Sequence, residues 1–245
     1  MRKLLPLLLF LASVLALATS PAFAAESSFE RSYKVKGLIQ VSVGTGLGSI
    51  RINVGAPNRV HVIGHVKSDW GGNPEARVQK VADSPPVGMS ENVIQLGAPN
   101  QDPAKNMSID YEIEAPAESM IFAVSGAGDI TVIGVGTRIN LRSGSGDIHV
   151  SEVRGQLHAQ SSTGDITIGG VPTGDWLIDS GSGSIELWSA TAPLTVEAST
   201  GNGRILSDQN LPVQQLEDKR RVSAKLNGGG PTVRISTDTG DVHVH

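Results

Sequence analysis

A short unit recurs along the second half of the chain at a nearly constant step. Its copies are SGAGDITV from Ser125, SGSGDIHV from Ser143, SSTGDITI from Ser161, SGSGSIEL from Ser180, a degraded STGNGRIL from Ser199 and STDTGDVHV from Ser236. The turn glycines are Gly128, Gly146, Gly164, Gly183, Gly203 and Gly240, so the steps are 18, 18, 19, 20 and 37 residues, the last close to two periods. Fixed spacing of this kind marks a chain that coils and stacks on itself. Such a stack supplies a long surface and no obvious reaction centre.

Two residues after each turn glycine stands Ile130, Ile148, Ile166, Ile185, Ile205 or Val242, and four after it Val132, Val150, Ile168, Leu187, Ser207 or Val244. Between them lie Thr131, His149, Thr167, Glu186, Leu206 and His243. This in-out-in alternation is that of a strand with one buried face. A second strand precedes each glycine, with Ile139 and Leu141, Leu157 and Ala159, Trp176 and Ile178, Val196 and Ala198, and Val233 and Ile235 pointing inward. The fold class predicted is therefore all-β: a right-handed, single-stranded parallel β-helix or solenoid with two strands in each coil of about 18 residues. At the corner, glycine is expected to supply positive φ and the following aspartate a local hydrogen bond.

Residues 44–54 look like an earlier copy of the unit, and residues 60–64 like the strand after it. The region from 67 to 107 is irregular, with one helix predicted at 74–82: Asn73 caps it, Pro74 opens it, and Val78, Val81 and Ala82 share a face. Residues 25–124 are thus expected to form a β-rich, irregular amino-terminal cap, and residues 125–245 the regular solenoid. The first 24 residues read as a signal peptide, with Arg2 and Lys3, an apolar run to Ala18 and a small-x-small site at Ala22-Phe23-Ala24. Cleavage near Ala24 would place the mature chain in the periplasm or outside the cell. With no cysteine, its stability must come from burial and strand ladders. The net charge of −4 argues against nucleic acid and anionic lipid as partners. No stretch is expected to span a membrane.

The run Ile109-Asp-Tyr-Glu-Ile-Glu-Ala-Pro116, the serial Ser-Gly-Asp-Ile units and the tail from Lys225 through Gly228-Gly-Gly-Pro231 to Asp241-Val242 resemble the bacterial β-strand-repeat family known as putative adhesins. The resemblance covers roughly Phe29 to the end. It implies a single-chain β-helix at or beyond the cell envelope and brings no catalytic residues with it. Ser184 and Arg204 depart from the aspartate column, and Ser207 from the core pattern.

The aspartate column offers the first candidate site. Asp129, Asp147 and Asp165 should stack at successive corners, where like charges repel by about 1 kcal/mol in water. Turn carboxylates are the expected role and a calcium row the alternative, since a calcium roll repeats every nine residues, half the spacing seen here. The pairs His61 and His65, and His243 and His245, share strand faces without carboxylates at ligand spacing in the sequence, and are expected to be surface residues. No other cofactor is implied. Trp188 follows two core residues, either exposed as an anchor for a sugar or protein or tucked under the next insertion. With His149, Thr167 and Glu186 it forms the candidate partner-binding face, its partner a cell-surface glycan or an envelope protein. The function expected is that of a secreted, non-enzymatic adhesin-like binding or scaffold module of the cell envelope. Alternatives are a polysaccharide-cleaving β-helix, which needs two specialised carboxyl groups, and an envelope-stress sensor or regulator.

Overall fold

The computed structural model describes residues 25–68, 72–97, 107–189, 191–208, 211–212, 214–215 and 220–245. The signal peptide expected over residues 1–24 lies outside them. The described residues form an all-β fold with one helix, built on two long sheets of ten and eleven strands. Parallel pairing runs through the middle of both. In the first sheet Ile148 lies beside Ile130 on one side and Ile166 on the other, and Ile166 beside Ile185. In the second sheet Ile139 lies between Ile121 and Leu157, and Leu157 beside Trp176. Like residues therefore stack on like. The inward columns meet in one core, where Ile130, Ile148, Ile166, Leu141, Ile178 and Trp176 are all buried. Trp176 also donates its Nε1–H to the Gly155 carbonyl at 2.9 Å, so its one polar atom is satisfied inside the stack.

The copy at residues 44–54 belongs to this stack. Strands Gln40–Thr45 and Ile50–Val54 lie directly against Met120–Ser125 and Ile130–Ile133, with Val41 beside Ile121 and Ile50 beside Ile130. Beyond it the pattern changes. Strand Arg59–Ser68 pairs antiparallel with both Ala25–Lys34 and Ser108–Ala115, and the helix Pro74–Asp83 packs Val78, Val81 and Ala82 against the first two of these strands. The Asn73 side chain accepts the Ala76 N–H at 3.3 Å, and Pro74 opens the helix as its sequence requires. Antiparallel strands and a helix thus close an end that would otherwise present a bare apolar edge.

At the other end the spatial order departs from the sequential one. The last two strands, Thr232–Thr239 and Val242–Val244, insert between the coil of Trp176–Trp188 and the coil of Leu194–Ser207. Val242 has Ile185 on one side and Ile205 on the other. Burial accounts for this exchange. The last copy is fully apolar at its inward positions, and Val233, Ile235, Val242 and Val244 are all buried. The degraded copy, with half-exposed Ser207 at a core position and Arg204 at the corner, takes the terminal place, where water reaches it. Strand Arg220–Leu226 then lies antiparallel along Leu194–Asn202 and extends that sheet beyond it. Burying an unpaired carboxylate is expected to lower stability by at least about 3 kcal/mol, whereas an outward one changes little. Ile148→Asp should therefore unfold at far lower denaturant concentration than Thr167→Asp; equal midpoints would invalidate the register.

Candidate functional site

Each corner carries three ladders between neighbouring coils. Asp129 Oδ1 accepts the Asp147 N–H at 2.9 Å, Asp147 Oδ1 the Asp165 N–H at 2.8 Å, and Asp165 Oδ1 the Ser184 N–H at 2.7 Å. The second ladder is buried: Ser143 Oγ donates to the Gly128 carbonyl at 3.2 Å, Ser161 to Gly146 at 3.0 Å, and Ser180 to Gly164 at 3.0 Å. The third is steric. A Cβ on Gly146 would overlap the Gly128 carbonyl oxygen, and one on Gly164 would overlap that of Gly146. This corrects the expected reason for glycine: of the six turn glycines only Gly240 has positive φ, at 144°, and close approach of stacked backbones explains the rest.

The departures from the aspartate column follow from the spatial order. Because the last copy sits beside the degraded one, Arg204 meets Asp241, donating its backbone N–H to Oδ1 at 2.8 Å and its Nη2 to Oδ2 at 2.6 Å. Ser184 lies between Asp165 and Asp241 and interrupts the row of charge. Asp129, Asp147 and Asp165 are exposed at successive corners, each with one oxygen committed to the backbone. Asp147→Ala removes a charge-assisted acceptor and should lower stability by about 1.5–3 kcal/mol, while Asp147→Asn keeps an acceptor and should lose less than half of that. Chemical denaturation of the two variants checks this; equal losses would show that charge, not the hydrogen bond, matters at the corner.

The face expected to bind a partner is brought together. His149, Thr167 and Glu186 are register neighbours, followed across the sheet by His243 and Leu206. Trp188 stands one position beyond Leu187 and is 52% exposed, which decides between the two placements left open by the sequence. Its indole stacks on His245 with ring centroids 3.7 Å apart and planes 8° from parallel, and its Nε1–H reaches Glu186 Oε2 at 3.4 Å. Gly169 lies beside it in register and leaves that flank low.

Both histidine pairs have carboxylate neighbours, contrary to expectation. His61 Nε2 lies 2.8 Å from Glu30 Oε1, and His65 Nε2 3.9 Å from Glu112 Oε1. His243 Nε2 lies 3.2 Å from Asp208 Oδ1, and His245 Nδ1 3.1 Å from Asp208 Oδ2. Hydrogen bonds from His245 and then His243 hold the Asp208 carboxyl below its ordinary range. Spacing along the chain concealed these partners, since Asp208 precedes His243 by 35 residues and reaches it only through strand pairing.

Two clefts hold further titratable groups. One, of about 570 Å³, is lined by residues including His65, Lys67, Asp110 and Glu112. Burial there raises the Asp110 carboxyl, but hydrogen bonds from the Ser49 N–H, Lys67 and the Ser49 hydroxyl outweigh it and leave a lowered pKa. The other, of about 520 Å³, contains Asp179, Glu197, Arg221 and Arg234. Burial pushes Asp179 above its ordinary range, partly offset by His158 and Arg234. Asp241 is lowered by its hydrogen bonds from Arg204. A carboxylate lowered in the fold releases its proton more readily there than in the unfolded chain, so its stabilisation is present above the ordinary range and lost as pH falls through the lowered value. Asp179 acts in the opposite sense, losing its contribution as pH rises through its raised value. With Asp110 and Asp241 prevailing, the melting temperature should fall as pH drops from about 5 to about 3. Asp241→Asn should flatten that fall, and an unchanged slope would remove Asp241 from the account.

A stack of parallel strands with Ser-Gly-Asp corners defines a β-solenoid. Residues 117–245 match the Toastrack DUF4097 family, and the chain belongs to it. Solved structures to which it is similar include a putative cell adhesion protein from Clostridium sporogenes ATCC 15579, 13% identical over 89% of this chain and 99% of that one, with a TM-score of 0.43. A putative adhesin from Bacteroides fragilis NCTC 9343 is 12% identical over 89% of this chain and 97% of that one, with a TM-score of 0.36. No curated protein matches the sequence. Among the described residues no helix is long and apolar enough to cross a membrane.

Proposed function

We propose that the chain is an exported, non-enzymatic, right-handed β-solenoid that serves as a binding module of the bacterial cell envelope and holds a surface glycan on the face carrying Trp188. The exposed indole carries this reading. An aromatic face fixed from behind by His245, with a low glycine flank and carboxylate and imidazole groups beside it, matches the needs of a sugar ring, which stacks its C–H face and hydrogen-bonds at its edge. The column of His149, Thr167 and Glu186 extends the contact as a shallow polar strip, so single sites bind weakly and many copies bind well. In the same reading the corner aspartates serve the stack and hold no calcium. Export rests on the basic, apolar and small-residue start of the sequence.

Glycan and cell-wall arrays probed with the mature protein test the proposal. Trp188→Ala should weaken attachment by about tenfold or more while leaving the melting temperature within a few degrees. Unchanged attachment together with a large loss of stability would move the binding face elsewhere, and attachment only to proteins would replace the glycan. The raised Asp179 carboxyl, in the same cleft as Glu197, supports a second, polysaccharide-cleaving reading. Glu197, however, is bound by Arg234 at 2.9 Å. Product release abolished by Asp179→Asn would establish that reading.

A further inference from the structure

Three ligand atoms from two chain segments converge at the Trp188 end of the first sheet. His243 lies on the last strand and His245 follows its end, its N–H still donating to the Leu187 carbonyl at 2.9 Å, so the two, a pair of residues apart, project to the same outward side. Asp208 follows strand Ile205–Ser207, and its own N–H donates to the Val244 carbonyl at 3.1 Å, which sets the carboxylate opposite the two imidazoles. One ring nitrogen of His243, one of His245 and a carboxylate oxygen of Asp208 all lie within 4.8 Å of one another. The rings are held in place: His245 lies between Trp188, on which it stacks, and His243, whose ring is tilted 39° from it, with centroid separations of 3.7 Å on both sides. We infer that Asp208, His243 and His245 form a binding site for a divalent transition metal ion of the zinc class.

The donor set selects the ion. Two imidazole nitrogens and one carboxylate suit zinc and its neighbours, whereas calcium and magnesium take shells of oxygen. Ligands about 2.0–2.2 Å from a tetrahedral zinc stand about 3.4 Å from one another. His243 Nε2 lies 3.2 Å from one Asp208 oxygen and His245 Nδ1 3.1 Å from the other, and one ligand atom from each residue lies within 4.8 Å of the other two, so side-chain rotations draw the three together around an ion. It would replace two hydrogen bonds to the single Asp208 carboxylate by three metal bonds. Three protein ligands leave a fourth position, and the Asp208 side chain, 60% exposed, opens that position to water or to an incoming group beside Trp188. The site stands whether or not the Trp188 face holds a glycan.

Titration of the untagged, chelator-treated protein with zinc by calorimetry tests the inference, with cobalt absorption reporting geometry. One equivalent should bind in the micromolar range or tighter, cobalt should give the intense visible bands of a four-coordinate site, and calcium should give no heat. Asp208→Asn and His243→Gln, both at outward positions, should each weaken zinc by about 100-fold or more, at least what loss of an outer-shell partner does. His61→Ala with His65→Ala should leave it unchanged. Absence of zinc binding in the unaltered protein would overturn the site. So would binding that survives the Asp208 and His243 variants, or that disappears with His61 and His65.

Discussion

The structure depends on how closely one corner can lie on the next. Stacked strands are separated by about 4.8 Å, and at the bend the backbone must keep that spacing while turning. Glycine at the centre of the bend lets the carbonyl of the preceding coil come within contact distance, where any Cβ would intrude. Once the backbones are this close, the buried Ser three residues earlier reaches the same carbonyl and the Asp one residue later reaches the next N–H. Steric permission, a neutral hydrogen bond and a charge-assisted one coincide within five residues. That coincidence is why Ser, Gly and Asp recur together.

The same constraint limits what the corners can do. A carboxylate that accepts a backbone N–H from the adjacent coil has given one of its oxygens to the fold, and its geometry is set by the strand spacing. Three such carboxylates in succession accumulate negative charge, which Ser184 interrupts and Arg204 balances at the terminal coil. The departures from the repeat are thus placed where an unbroken row would be least favourable. The functional candidates lie on the outward columns, whose side chains the stack leaves free.

Much of the architecture was legible because it is periodic. The inward columns from Ile130 to Ile185, Val132 to Leu187, Ile139 to Trp176 and Leu141 to Ile178, and the helix at Pro74, followed from alternation, spacing and capping residues. The order of the last coils was not legible, because the apolar pattern of Val233, Ile235, Val242 and Val244 specifies an interior place and is silent about which neighbours flank it. The cleft containing Asp179 and Glu197 was hidden for the same reason: its residues come from strands that are distant in sequence. Trp188 was identified as a candidate, but only the lateral neighbours Gly169 and His245 decide that its ring is exposed.

Reordering of the final coils is also what assembles the carboxyl-terminal end of the outward face. Had the last strand stacked at the terminus, Glu186 and Trp188 would lie beside Leu206 and the end of the degraded coil, with the histidines one layer further out. Inserted instead, Val242–Val244 carries His243 between Glu186 and Leu206 and sets His245 against the indole, while Asp208 closes over both imidazoles. A preference for burying four apolar side chains therefore determines which polar groups meet at the surface. In a solenoid, where each coil touches only its neighbours, exchanging two coils leaves the core nearly unchanged and alters the lateral contacts of every outward residue at the exchange. Chemistry that an unbroken repeat would not supply arises at the place where sequential order fails.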